Sequence, residues 1–206
     1  MRPEPSLESA HAALEAGQPR LAAEIFCDLL PTETAAHGLA AALLRLGRAG
    51  DALQALEPWP PGARRALLTA RAHGLTGHPD ALGLATEARR LARLEGDGPA
   101  LVAAATLLGE LQLRSGQARD ALHTLAEGLK VAELLNVPAD PLLLTALARV
   151  QWRVGSPAKA RRTAEKALAR SAPGSPARVS ALLALGRPDE ARTEAERGEL
   201  AAVYLE

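Results

Sequence analysis

The sequence predicts an all-α chain built as a row of antiparallel helical hairpins. Three observations carry that expectation. Apolar residues make up 48% of the 206, they are mostly Ala and Leu, and aromatics are only 2%. Ala and Leu are strong helix formers, whereas β-branched and aromatic residues favour strands. A glycine recurs in the same setting at Gly17, Gly47, Gly77, Gly116, Gly155 and Gly186, at spacings of 30, 30, 39, 39 and 31 residues. Proline stands two residues after it at Pro19, Pro79, Pro157 and Pro188. Glycine ends a helix by taking the left-handed conformation at little cost. Proline in the first helical turn loses no needed hydrogen bond, and its fixed φ suits the helix. Gly-x-Pro is therefore read as the tight corner of a helical hairpin.

The elements follow in order from these corners and from the remaining prolines, which mark the joints between hairpins. Helices are expected over 6–16 and 18–30 around Gly17, with Pro31 as the stop. The next pair, 33–46 and 49–57, turns at Gly47 and ends at the cluster Pro58-Trp59-Pro60-Pro61. Helices 62–75 and 79–94 flank Gly77, and Pro99 opens the following unit. Helices 99–115 and 117–135 flank Gly116 and end before Pro138. Pro141 starts 141–154, Gly155 separates it from 157–171, and Pro173 ends the pair. Pro176 starts 176–185, and Gly186 leads into 188–203. The hairpins thus span roughly 6–30, 33–57, 62–94, 99–135, 141–171 and 176–203, read as one repeat domain over 1–206. The apolar stretch from Gly198 to Leu205 falls in the last helix, where it suggests a docking or self-association face.

Five residues after the corner glycine stands a small residue: Ala22, Ala52, Ala121, Ala160 and Ala191, with Ala81 one place early after Gly77. In the first helices of the two longer repeats a small residue follows leucine, as Leu108-Gly109 and Leu147-Ala148. Small residues there let paired helices approach closely, with Ala121 and Ala160 facing them.

This spacing resembles the tetratricopeptide repeat family. The residues matching its pattern are Leu108, Gly109, Gly116, Ala121 and Leu129, then Leu147, Ala148, Gly155, Ala160, Ala167 and Leu168. The resemblance implies a right-handed α-solenoid of about six hairpins. Hairpins that cannot bury their apolar faces alone stack into a continuous core with a curved surface. It also implies a protein–protein interaction scaffold, with a sensor or oligomerisation module of a bacterial signalling or transcription system as the alternative.

Function then rests on the groove. Arg45, Arg114 and Arg153 each stand two residues before a corner glycine, a position that the resemblance turns toward the concave face. Arg149 lies one helical turn before Arg153, and Arg71 holds the equivalent place in the third repeat. Guanidinium groups suit carboxylates, which they bind bidentately. A cation in the last helical turn also favours the negative end of the helix dipole, so a purely structural role stays open. Trp152, beside Arg149 and Arg153, suits either a peptide hot spot or core packing. The expected binding residues are Arg45, Arg71, Arg114, Arg149, Trp152 and Arg153, and the expected ligand is an acidic peptide segment or a free carboxylate.

Eight basic residues against the single acid Glu165 fall between 149 and 178, while the first sixty residues hold eight acids and four bases. This asymmetry fits an acidic partner, self-association, or a solvated helix face. Formal net charge is +0, without the basic field that a nucleic-acid binder needs. Cys27 is alone, so no intrachain disulfide forms, and its apolar surroundings predict a small buried residue. His11, His37, His73, His78 and His123 make no metal-ligand pattern. Phosphate-loop, dinucleotide and nucleophile-elbow motifs are absent, so no enzyme, catalytic residue, metal or cofactor is expected. A polar N-terminus and the lack of an apolar run of about 18 residues leave a cytoplasmic, non-membrane protein as the default expectation.

Overall fold

The computed structural model describes residues 5–205, and among them lie twelve α-helices and no strand. They are α1 (Leu7–Glu15), α2 (Pro19–Asp28), α3 (Glu33–Arg45), α4 (Ala49–Leu56), α5 (Ala63–Leu75) and α6 (Ala81–Glu95). The second half holds α7 (Gly98–Arg114), α8 (Ala118–Leu134), α9 (Pro141–Arg153), α10 (Pro157–Arg170), α11 (Pro176–Ala184) and α12 (Pro188–Arg197), then one 3-10 turn, Ala202–Leu205.

The six corners share one chemistry. Every corner glycine has a left-handed φ of 69–80°. The residue after it donates its N–H to the carbonyl five residues back: Gln18 to Ala13, Arg48 to Leu43, His78 to His73, Gln117 to Gln112, Ser156 to Gln151 and Arg187 to Leu182, at 2.8–2.9 Å. This closes orphan carbonyls at the helix end, and a β-carbon would oppose it. Pro19, Pro157 and Pro188 then open α2, α10 and α12.

The first helix of each hairpin starts differently, on a side-chain cap. Ser6, Thr32, Asp97, Asp140 and Ser175 accept backbone N–H groups from the opening turns of α1, α3, α7, α9 and α11. Helix α5 begins after Gly62, which has no side chain to offer. The carboxylate of Glu95, at the end of α6, accepts from the Ala63 N–H instead, at 3.0 and 3.2 Å.

Consecutive helices pack in chain order, and each first helix also touches the first helix of the next hairpin, from α1 through α11. The first helices therefore form an inner layer and the second helices an outer one, as in an α-solenoid. Alanine dominates the buried surface, from Ala10 to Ala195. Phe26, wholly buried, lies over Gly38 of the neighbouring hairpin. A β-carbon on Gly38 would overlap the ring edge and lie 2.7 Å from Cδ1. Gly38→Ala is therefore expected to cost about 1–3 kcal/mol, despite alanine's roughly 1 kcal/mol advantage in a helix. Gly50 in α4 has open space around it, so Gly50→Ala is expected to gain about 1 kcal/mol. Urea unfolding of both variants checks the contrast.

The structure corrects three local expectations. Helix α6 starts at Ala81 rather than at residue 79, leaving Pro79 in the corner. Cys27 is exposed, because α2 buries Ala22, Ile25 and Phe26 and so turns the next residue outward. The last helix does not run to 203. It stops at Arg197, and Glu199 takes a φ of 49° that breaks it.

That break sends the chain back toward its beginning. Gly198 packs on Gly174, and the Gly17 corner meets the same pair. Glu199 pairs with Arg20 at 3.2 Å. The Ala201 N–H donates to the Arg45 carbonyl at 3.0 Å, and the Tyr204 hydroxyl donates to the Leu44 carbonyl at 3.2 Å. Leu200 and Leu205 pack on the core of the last hairpin, around Val179 and Leu182. The terminal segment thus straps the last hairpin to the first two.

Candidate functional site

The inner layer and the strap enclose a cavity of about 730 Å³. Its walls come from α1, α3, α5, α7, the start and inner face of α9, α11 and the strap residues Val203 and Tyr204. One register position supplies much of the wall. It lies six residues before the corner glycine, and in successive first helices it holds Ala41, Arg71, Glu110, Arg149 and Ser180, all of which line the cavity.

The predicted arginines separate into two kinds. Arg45 and Arg114, two residues before their corner glycines, each donate to a carbonyl near the end of the preceding first helix. Arg45 Nη1 reaches Leu14 O at 2.5 Å, and Arg114 Nη1 reaches Gly74 O at 3.3 Å. They line the cavity, yet their hydrogen bonds tie one hairpin to the next and place a cation at the negative end of a helix dipole. Arg71 and Arg149 also line it, and no hydrogen bond or ion pair to a described residue engages either.

The sequence reading missed Glu110. It shares the register of Arg71 and Arg149, and that periodicity is the signal that could have found it. Its carboxyl likewise makes no hydrogen bond or ion pair to a described residue. Burial pushes it above the usual carboxylate range, against the weaker downward pull of Arg149, Arg114 and Arg71 through space. Three successive first helices thus present Arg71, Glu110 and Arg149, positive, negative, positive. Tyr204 stands near this row, and burial pushes its hydroxyl up while Arg71 and Arg45 pull it down. Asp140 also lines the cavity but is engaged in capping α9, where it accepts from the Leu142 N–H at 2.7 Å.

The tetratricopeptide repeat family's sequence model matches residues 34–58, 141–166 and 177–197. These are the α3–α4 hairpin, the α9–α10 hairpin and the α11–α12 hairpin. The fold is also that of a crystal structure of a thermophilic TPR protein from Thermus thermophilus. The two superpose with a TM-score of 0.68 over 87% of this chain and 96% of that one, at 20% identity. The chain's fold is thus tetratricopeptide-like, and three of its six hairpins match the family's sequence model. No curated protein matches its sequence.

Two residues predicted for the groove of this tetratricopeptide-like chain stand outside the cavity. Trp152 is 63% exposed and Arg153, the last residue of α9, is exposed as well, so both face solvent at the α9–α10 corner. Core packing of Trp152 is excluded by that exposure. The inner face of α9 ends with Arg149, one turn before Arg153.

The basic run from 149 to 178 lies largely on the outward side of α10, where Lys159, Arg161, Arg162, Lys166 and Arg170 are exposed. A second depression of about 410 Å³ borders it, lined by Arg161, Arg178 and Arg187. All three already have acids, in Glu165, Glu194 and Glu190. Among the described residues no group of three or more His, Cys, Asp or Glu side chains gathers as a metal site. The neighbours His73 and His78 meet each other edge to face at 4.5 Å. No helix among them is long and apolar enough to cross a membrane. The inner cavity thus presents two guanidiniums and one carboxyl that make no hydrogen bond or ion pair to a described residue.

Proposed function

We propose that this protein is an interaction scaffold that binds an acidic peptide segment in its inner cavity, and that it is not an enzyme. Tetratricopeptide folds generally serve protein–protein interaction, which supports the class of partner. The observation that carries the acidic character is the pair Arg71 and Arg149, two cavity guanidiniums that make no hydrogen bond or ion pair to a described residue. Guanidinium groups left without partners in a partly enclosed site gain most from a ligand carboxylate. Arg45 and Arg114 add positive potential while holding the hairpins together. The cavity volume falls within the range of roughly 300–1,000 Å³ common for ligand pockets, enough for a short stretch of chain rather than a folded domain.

The test uses isothermal calorimetry with the peptide acetyl-Glu-Ala-Gln-Ala-Glu-amide. Binding to the wild-type chain is expected, with the affinity of Arg71→Ala/Arg149→Ala lower by about tenfold or more, each tenfold being about 1.4 kcal/mol. Neither arginine makes a hydrogen bond to a described residue, so circular dichroism of the double variant should be unchanged. Equal affinity for both proteins, or no heat with the wild type, would show that the arginines do not bind an acidic segment.

A further inference from the structure

We infer that the segment bound in this cavity is of alternating charge, with a lysine or arginine between two acids, because Arg71, Glu110 and Arg149 present the complementary row. This inference rests on the peptide-binding reading above and sharpens it. The three residues occupy one register position on α5, α7 and α9, and α7 packs against both of the others. Packed helices stand about 8–10 Å apart. In an extended peptide, side chains two residues apart share a face and are separated by roughly 7 Å. Flexible Glu and Lys side chains cover the difference, so an acid–x–base–x–acid segment brings its charges to the three helices in turn.

Glu110 is what a purely acidic ligand would leave unexplained. A part-buried carboxyl without a partner is costly, and here it sits centrally among cations yet pairs with none of them. A wholly acidic segment satisfies the arginines and meets repulsion from Glu110, with Glu15 and Asp140 also on the cavity wall. A segment with a central cation gives every one of the three groups an opposite charge. Like charges placed together also discriminate strongly against wrong partners.

The decisive measurement compares two peptides that differ only at the centre, acetyl-Glu-Ala-Lys-Ala-Glu-amide and acetyl-Glu-Ala-Gln-Ala-Glu-amide, by calorimetry on the full chain. The wild type is expected to bind the lysine peptide about tenfold more tightly. Glu110→Gln keeps the shape of the side chain and should remove that preference. Arg71→Ala/Arg149→Ala should weaken both peptides alike. Equal binding of the two peptides by the wild type overturns this inference alone and leaves the arginine reading standing. A lysine preference that survives in Glu110→Gln also overturns it, since the cation would then be read elsewhere. Failure of both peptides to bind overturns the inference together with the reading beneath it. The wild-type comparison needs no variant, so it decides the matter even if Glu110→Gln folds poorly.

Discussion

Replacing Glu194 by alanine is expected to destabilise the last hairpin by about 2–3 kcal/mol, chiefly because a buried N–H loses its charged acceptor. Glu194 lies on α12 and is only 7% exposed. It accepts the Gly174 N–H at 2.6 Å, pairs with Arg197 at 2.9 Å, and lies 3.3 Å from Arg178 Nε. Arg178 Nε has no aligned hydrogen bond to a described residue and lies beside the Glu194 charge, while Nη1 of the same guanidinium donates to Leu168 O at 3.4 Å. Alanine leaves a buried N–H and a part-buried guanidinium together. Glu194→Gln should lose less, because it keeps an acceptor for Gly174 while giving up the charge. In a repeat array each unit contacts chiefly its neighbours, so the damage should be local. Hydrogen exchange should show protection lost across residues 174–205 and retained in α1 to α8. Uniform loss along the chain, or none, would contradict this account.

The fold was legible because its punctuation is chemical. A residue that must take a φ near +75° is glycine, and a helix that opens without a side-chain cap opens well on proline. Both marks recur at the corners, so the helix spans lie within two residues of expectation everywhere except at the end. The exception has a cause in packing. Residues 198–205 are apolar enough to continue a helix, but α12 ends at Arg197 where Gly198 meets the Gly174 backbone, and Glu199 turns the chain away with a φ of 49°. That contact joins parts of the chain distant in sequence, and no local pattern announces it. Cys27 fails for a related reason: hydrophobic neighbours in sequence are not neighbours in space on a helix, where the face decides burial.

The cavity was legible in part. Counting back two residues from the corner glycines finds Arg45 and Arg114, and these prove to be cross-hairpin ties as well as wall. Counting back six finds Arg71 and Arg149, and the same register holds Glu110, whose sign breaks the run of arginines that marks the position. Trp152 and Arg153 lie outside the cavity for a reason of depth. Helical phase gives the face of α9, but where the cavity rim crosses that helix depends on how the hairpins stack, which is a property of the whole array.

The strap supports a second large effect. Gly198→Ala is expected to cost about 3 kcal/mol, the upper end of what overpacking exacts, because its β-carbon would overlap the Gly174 carbonyl oxygen and lie 2.7 Å from the carbonyl carbon. A flexible side chain could move aside, but here the obstacle is backbone. Gly174 has a φ of 68° and cannot readily yield, since its own N–H is held by Glu194. The relief available is to part α12 from the 174 turn, and with it the segment that follows. The Ala201 to Arg45 and Tyr204 to Leu44 hydrogen bonds and the Arg20–Glu199 pair would then be lost together. Val203 and Tyr204 would leave the cavity wall, and a partly enclosed pocket would become an open groove. Small-angle scattering should record a larger radius of gyration, and exchange of the Ala201 amide should rise to that of an open chain. Tyr204→Phe is the milder control, removing one hydrogen bond worth about 1 kcal/mol while keeping the ring in place. If Gly198→Ala were as compact and as stable as the parent, the meeting of Gly17, Gly174 and Gly198 would not be what closes the array.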